Sequence, residues 1–196
     1  WKFGWGGYKV SGWLHWVWSS VVNALSTRME AIVEREWKKF FLAFERWITQ
    51  GDIEVVGKSN RTGTIIKFWP DNEIFKITTT FDYQTIVNRL RQQAYLTKWI
   101  TLKINDERSG QRYKFYFEWG IKSYVNFLNK NEEPIGEIFY VEKEKNDIFV
   151  EVSMQYNKEY SNNIISFVNN IHTPEGGSHM VGFRTALTRT INKYAR

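Results

Sequence analysis

The sequence contains no cysteine, which excludes disulfide staples and thiolate-held metal centres. Histidine is nearly as scarce. His15, His172 and His179 are the only three, and no two stand at the spacing of an HExxH-type site, so no metal ligand is assigned. No stretch approaches the roughly 18 apolar residues that a membrane-spanning helix requires. No charged-then-apolar leader runs into a small-residue cleavage site, and the expectation is a cytosolic protein. Internal repeats and low-complexity segments are also lacking.

What is present is an ordinary globular mixture. The 196 residues are 42% apolar and 24% charged, enough for one large domain or parts of two, with a real core. The net charge of +6 favours polyanionic partners without choosing among them. The basic residues are interspersed with 21 acidic ones and form no long run. A solvated basic surface and a nucleic-acid-binding module that stacks bases on its aromatics therefore both remain open. Ten tryptophans beside thirteen glycines is the one unusual ratio.

Local patterning predicts an α+β fold. Residues 1–12 hold four glycines and read as a loop. A helix is expected to open near 19–27, capped by Ser19 or Ser20. Residues 29–35 and 38–46 read as strands joined at Glu36-Trp37, a tight-turn position where glycine would normally supply the positive φ. A further strand is expected over 63–68, ended by Pro70. The clearest helix is 82–98, with Asp82 as its cap and Ile86, Leu90, Ala94 and Tyr95 on one face. Strands follow at 100–105 and 111–118 around a turn at 106–110. Then come a helix at 121–128, a hairpin of 137–143 and 148–156 around Asn146-Asp147, and a helix over 181–195 with Phe183, Leu187, Ile191 and Tyr194 as apolar positions.

The segment Tyr8–Ser20, YKVSGWLHWVWSS, carries the strongest signal. It resembles the ATP lid and phosphate loop of the B subunits of bacterial DNA gyrase and topoisomerase IV, whose pattern is YKVSGGLHGVGSS. Four more segments look like the same family in the same order: RTGTIIKFWPD at 61–71, RLRQQAYL at 89–96, NDERSG at 105–110, and the run from Tyr156 to Arg196. Val10 in YKVSG and TRTIN at 188–192 favour gyrase, with topoisomerase IV as the alternative. Against this pattern Trp13, Trp16 and Trp18 stand on glycines of the phosphate loop, and Trp1 and Trp5 on glycines of the lid. Trp37, Trp47, Trp99 and Trp119 also fall on family glycines. Only Trp69, in FWPD, sits where the family accepts tryptophan. Such selectivity predicts a coding cause, UGA codons that mean glycine.

The resemblance implies that residues 1–117 are the C-terminal part of a Bergerat-type ATPase α/β sandwich. Residues 118–196 would then open a transducer domain resembling ribosomal protein S5. It implies an ATP site containing Lys2 and Lys9 from the lid and Gly12, Trp13, Leu14, His15, Trp16, Val17 and Trp18 from the phosphate loop. Thr64 would help to hold adenine. Taken singly, Lys2 and Lys9 are ordinary loop lysines, His15 a loop or core histidine, and Thr64 a β-branched strand residue. Successive backbone N–H groups followed by a helix N-terminus suit triphosphate binding, and indoles on the glycine positions would fill that cavity. The family's catalytic glutamate, its magnesium-binding asparagine and its adenine-reading aspartate are expected before residue 1. No catalytic residue is assigned, and the chain by itself is expected to be inactive. The implied cofactors are ATP and Mg2+. The implied partners are double-stranded DNA, the gyrase A protein and a second copy of the gyrase B protein, which dimerises with ATP.

Overall fold

The computed structural model describes residues 13–159 and 162–196, with side chains from Val17 onward. Mixed helices and strands appear in the order of an α+β protein. The chain falls into two compact units, Trp1–Phe81 and Asp82–Arg196.

In the first unit, helix α1 (Trp13–Ala24) runs directly into strand β1 (Ser26–Arg35). Ser19 and Ser20 therefore lie inside the helix and do not cap it. The reason is local: with tryptophan at 13, 16 and 18 nothing in the segment breaks helix, whereas glycine there would cost about 1 kcal/mol per residue. Strand β1 is the centre of an antiparallel sheet. It pairs on one side with β2 (Lys38–Glu45) and on the other with β5 (Gly63–Pro70). Strands β3 (Ile48–Thr49) and β4 (Glu54–Lys58) both add to the outer edge of β2. Met29 and Ala43 are buried on β1 and β2. The junction of α1 and β1 is pinned by polar groups: Ser26 Oγ donates to the Val22 carbonyl at 2.6 Å, and Asp71 N–H donates to the Leu25 carbonyl at 3.0 Å.

The second unit opens with helix α2 (Tyr83–Leu96), capped as expected by Asp82, whose carboxylate accepts from Thr85 N–H at 2.7 Å. The buried face of α2 is carried by Val87, Ala94 and Tyr95, so Val87 replaces the expected Ile86 as its anchor. Positions 87, 90 and 94 follow helical spacing. Strands β6 (Leu102–Asp106) and β7 (Gln111–Phe115) form a hairpin. Their Leu102, Ile104 and Phe115 pack with Val87, Leu90 and Ala94 into one apolar cluster. Tyr95 stacks on Phe117 at 3.8 Å and on Tyr124 of α3 (Ile121–Leu128) at 4.7 Å. Burial pushes its phenol up to about 12.

Strands β8 (Pro134–Lys145) and β9 (Ile148–Asn157) form the long hairpin, and β10 (Phe167–Val168) and β11 (Ile171–His172) a short one. Helix α4 (Ser178–Tyr194) follows. Of its expected apolar positions, Phe183 and Leu187 are half-buried, while Ile191 and Tyr194 are exposed.

Candidate functional site

Among the expected ATP-site residues, Trp13, Leu14, His15, Trp16, Val17 and Trp18 share the opening turns of α1. The first N–H groups of a helix have no partner within it and form an anion-attracting end. Val17 and Trp18 are exposed. Thr64 lies apart from α1 in sequence, on β5, where it stands opposite Val33 of β1. It too is exposed, on the edge strand of the described sheet. Lys2, Lys9 and Gly12 lie outside the described residues.

Near the α1–β1 junction Asp71 is buried and supports the surrounding loops. Its carboxylate receives Arg46 Nε at 3.2 Å and Glu73 N–H at 2.8 Å, and Arg46 also reaches Glu73 at 2.7 Å. Burying Asp71 unpaired would be costly, and this guanidinium offsets that cost.

Sequence reasoning missed a polar cluster in the second unit. Glu142 and Glu151 stand directly opposite each other on β8 and β9, an arrangement that like charges oppose. Lys98 enters between them, 2.9 Å from Glu142 and 2.8 Å from Glu151, and donates to Tyr140 Oη at 2.5 Å. Burial works against the Lys98 charge, but its hydrogen bonds to Glu151, Tyr140 and Glu142 outweigh it and hold the ammonium above the usual lysine range. Burial, with the bond to Glu142, likewise keeps the Tyr140 phenol protonated well beyond its ordinary range. The bonds from Tyr140 and then Lys98 draw Glu142 below the usual carboxylate range. With every group locked to a partner, the cluster fastens the end of α2 to the long hairpin. Tyr140, Glu142 and Glu151 share one hairpin, but Lys98 reaches them across 42 residues or more, so no local pattern announces it.

Arg184, Arg189, Lys193 and Arg196 line an open recess along α4, which locates part of the excess positive charge. Among the described residues no group of three or more His, Asp or Glu is placed to hold a metal ion. No helix among them is long and apolar enough to cross a membrane.

Comparison with known proteins decides the family. A family model described as DNA gyrase B matches residues 120–196. The DNA gyrase B protein of Bacillus mycoides is 52% identical over 197 residues, covering 100% of this chain and 49% of that protein. The Staphylococcus aureus gyrase B protein is 47% identical, over 98% of this chain and 31% of its own length. This chain belongs to the DNA gyrase B family. It spans about half the length of the Bacillus relatives it matches. In structure it is similar to the 43K ATPase domain of Thermus thermophilus gyrase B in complex with an aminocoumarin. The TM-score is 0.82 at 33% identity, over 96% of this chain and 52% of that one. The topoisomerase IV ATP-binding domain of Francisella tularensis gives a TM-score of 0.75 at 29% identity, over 89% and 48% of the two chains. The α+β architecture expected from the gyrase resemblance is thus the architecture found.

Proposed function

We propose that this gyrase B family chain serves in the ATP-hydrolysing component of a DNA gyrase and contributes the phosphate-holding part of its nucleotide site. The carrying observation is identity above 50% to gyrase B proteins over the whole chain. In this reading residues 1–117 belong to the ATPase domain and 118–196 to the transducer. ATP is the substrate. Its phosphates would lie against the N-terminal end of α1, where backbone N–H groups and the helix dipole favour anions. Gly12 and positions 13–18 form that wall, Lys2 and Lys9 approach from the lid, and Thr64 serves adenine. Mg2+ coordination is assigned to none of these residues, the family's magnesium-binding asparagine being expected before residue 1. In the complete protein, nucleotide binding would drive pairing with a second gyrase B copy. Hydrolysis would drive DNA strand passage and negative supercoiling together with the gyrase A protein, in the cytoplasm.

The test is calorimetric titration of a non-hydrolysable ATP analogue into the full-length protein in two forms. One carries tryptophan at 13, 16 and 18, and the other glycine. Each charge-assisted hydrogen bond withheld from phosphate costs about 1.5–3 kcal/mol. Losing two weakens binding roughly a hundredfold or more. The glycine form should therefore bind more tightly by at least that factor. Equal affinities in two forms that circular dichroism shows to be folded would remove the phosphates from this wall.

A further inference from the structure

Among the described residues, nine that are not glycine have positive φ: Glu36, Trp37, Arg46, Trp47, Trp99, Asn146, Asp147, Asn169 and Asn170. Four are Asn or Asp, whose short polar side chains tolerate the left-handed region. Glu36 and Arg46 are the leading residues of two-residue hairpin loops. The remaining three are all tryptophan, at φ 64° (Trp37), 66° (Trp47) and 68° (Trp99). For a bulky side chain this is a genuine outlier. No phenylalanine, tyrosine, leucine, isoleucine or valine among the described residues shares it, although the sequence holds 14 phenylalanines and 10 tyrosines. Among the bulky apolar residues the selection acts on one type.

At these places the fold uses backbone and leaves the indole in solvent. The Trp37 carbonyl accepts from Ser59 N–H at 3.2 Å, and Trp99 N–H donates to the Phe117 carbonyl at 3.5 Å. The three residues are 76%, 65% and 61% exposed in sequence order, so apolar burial does not compensate the strained backbone. Trp37 and Trp47 close two-residue loops with positive φ at both positions, Glu36-Trp37 between Arg35 and Lys38 and Arg46-Trp47 between Glu45 and Ile48. That is the type I′ pattern, which favours glycine second. Trp99 lies two residues past the Thr97 cap of α2, and its left-handed backbone is again one that glycine adopts without a Cβ penalty.

We propose that the polypeptide made in its own cell carries glycine at 37, 47 and 99, because these codons are UGA decoded as glycine. A single recoded triplet explains why tryptophan alone among the bulky apolar residues described takes the left-handed region, Glu36 and Arg46 each leading a loop that a tryptophan closes. This rests on backbone geometry and exposure and stands independently of the nucleotide-site reading. Trp69 is the internal control: it pairs with Arg28 near the end of β5, is not among the positive-φ residues, and keeps tryptophan. The experiment reads the gene's codons and sequences, by mass spectrometry, peptides of the full-length protein isolated from its own cells. The expected result is UGA with glycine at 37, 47 and 99 and tryptophan at 69. UGG or tryptophan at any of the three, or glycine at 69, would overturn the proposal.

Discussion

Two pairs of hairpins make the same bend with different residues. The β8–β9 and β10–β11 loops are Asn146-Asp147 and Asn169-Asn170, and the β1–β2 and β2–β3 loops are Glu36-Trp37 and Arg46-Trp47. All eight positions have positive φ. In the first pair the turn residues favour the bend, although β8–β9 is long and β10–β11 offers only two residue pairs. Even there, Ser166 and Thr173 add mutual side-chain and backbone hydrogen bonds at the open end. In the second pair the strands hold the register of β1–β2, while β2–β3 offers only two residue pairs, as β10–β11 does. Strand β1 is paired along nearly its whole length on both sides, and Arg46 is tied to Asp71 and Glu73. The strained Glu36-Trp37 turn survives where sheet pairing over-determines it, and the Arg46-Trp47 turn where ion pairs hold Arg46.

Replacing both turn tryptophans of the full-length protein, Trp37→Gly with Trp47→Gly, breaks the comparison most sharply. Left-handed backbone costs an L-residue about 1–2 kcal/mol, so the double variant should gain about 2–4 kcal/mol, since the sites are separate turns. A higher urea midpoint at unchanged slope is the expected reading. A lower midpoint would mean that the exposed indoles stabilise the sheet.

Gly120 and Gly110 separate strain from crowding. Both have positive φ, 53° and 70°, but a Cβ on Gly120 would lie 2.6 Å from Lys98 Cγ, whereas one on Gly110 meets nothing within 4 Å. Gly110→Ala should cost about 1 kcal/mol through its backbone. Gly120→Ala should cost about 2–3 kcal/mol, because crowding adds to strain and displaces Lys98 from Glu142 and Glu151. Equal losses in denaturation would show that Lys98 moves aside freely.

The converse graft comes next in size. Asp147→Trp would place an indole on the second turn position of β8–β9, now φ 60°, and should lower stability by about 1–2 kcal/mol. No change in thermal unfolding would mean that the long hairpin over-determines its own turn and that the two pairs do not differ.

Elements with strong local signals were legible in the sequence. Asp82 caps α2, α3 keeps its limits at Ile121–Leu128, and the Asn146-Asp147 turn falls between its strands. Strands β3, β10 and β11 are two residues each, too short for alternation to register. Strand β4 is exposed throughout and so lacks the half-buried pattern that marks a strand. The start of α1 departs from expectation because the family's glycines imply a loop, while the residues present form helix. Of the candidate site, the resemblance places positions 13–18 in one stretch, and they do share one helix end. The Lys98–Tyr140–Glu142–Glu151 cluster was missed because Lys98, which joins its three hairpin members, reaches them only through tertiary contact.

The smallest expected effect concerns a turn held in a third way. The β6–β7 loop combines Gly110 with a clamp in which Asp106 accepts from Arg108 N–H at 3.0 Å, Nε at 2.9 Å and Nη2 at 2.8 Å. The Arg108 guanidinium holds the Asp106 carboxyl down at about 2. An unfolded aspartate titrates near about 3.9. A folded value below the unfolded one means the clamp's contribution is complete above that pH and is lost as pH falls towards about 2. Because the Arg108 guanidinium is half-exposed and screened by solvent, the change in overall stability is small, and a local probe reads it best. The Asp106 carboxyl carbon shift should titrate with a midpoint near the depressed value. In the Asp106→Asn variant the Arg108 amide shift should lose its pH dependence between about 4 and about 2. A carboxyl midpoint at the ordinary aspartate value would show that the clamp does not hold in solution. The turn would then rest on Gly110 alone, as the Asn-based hairpins rest on their loop residues.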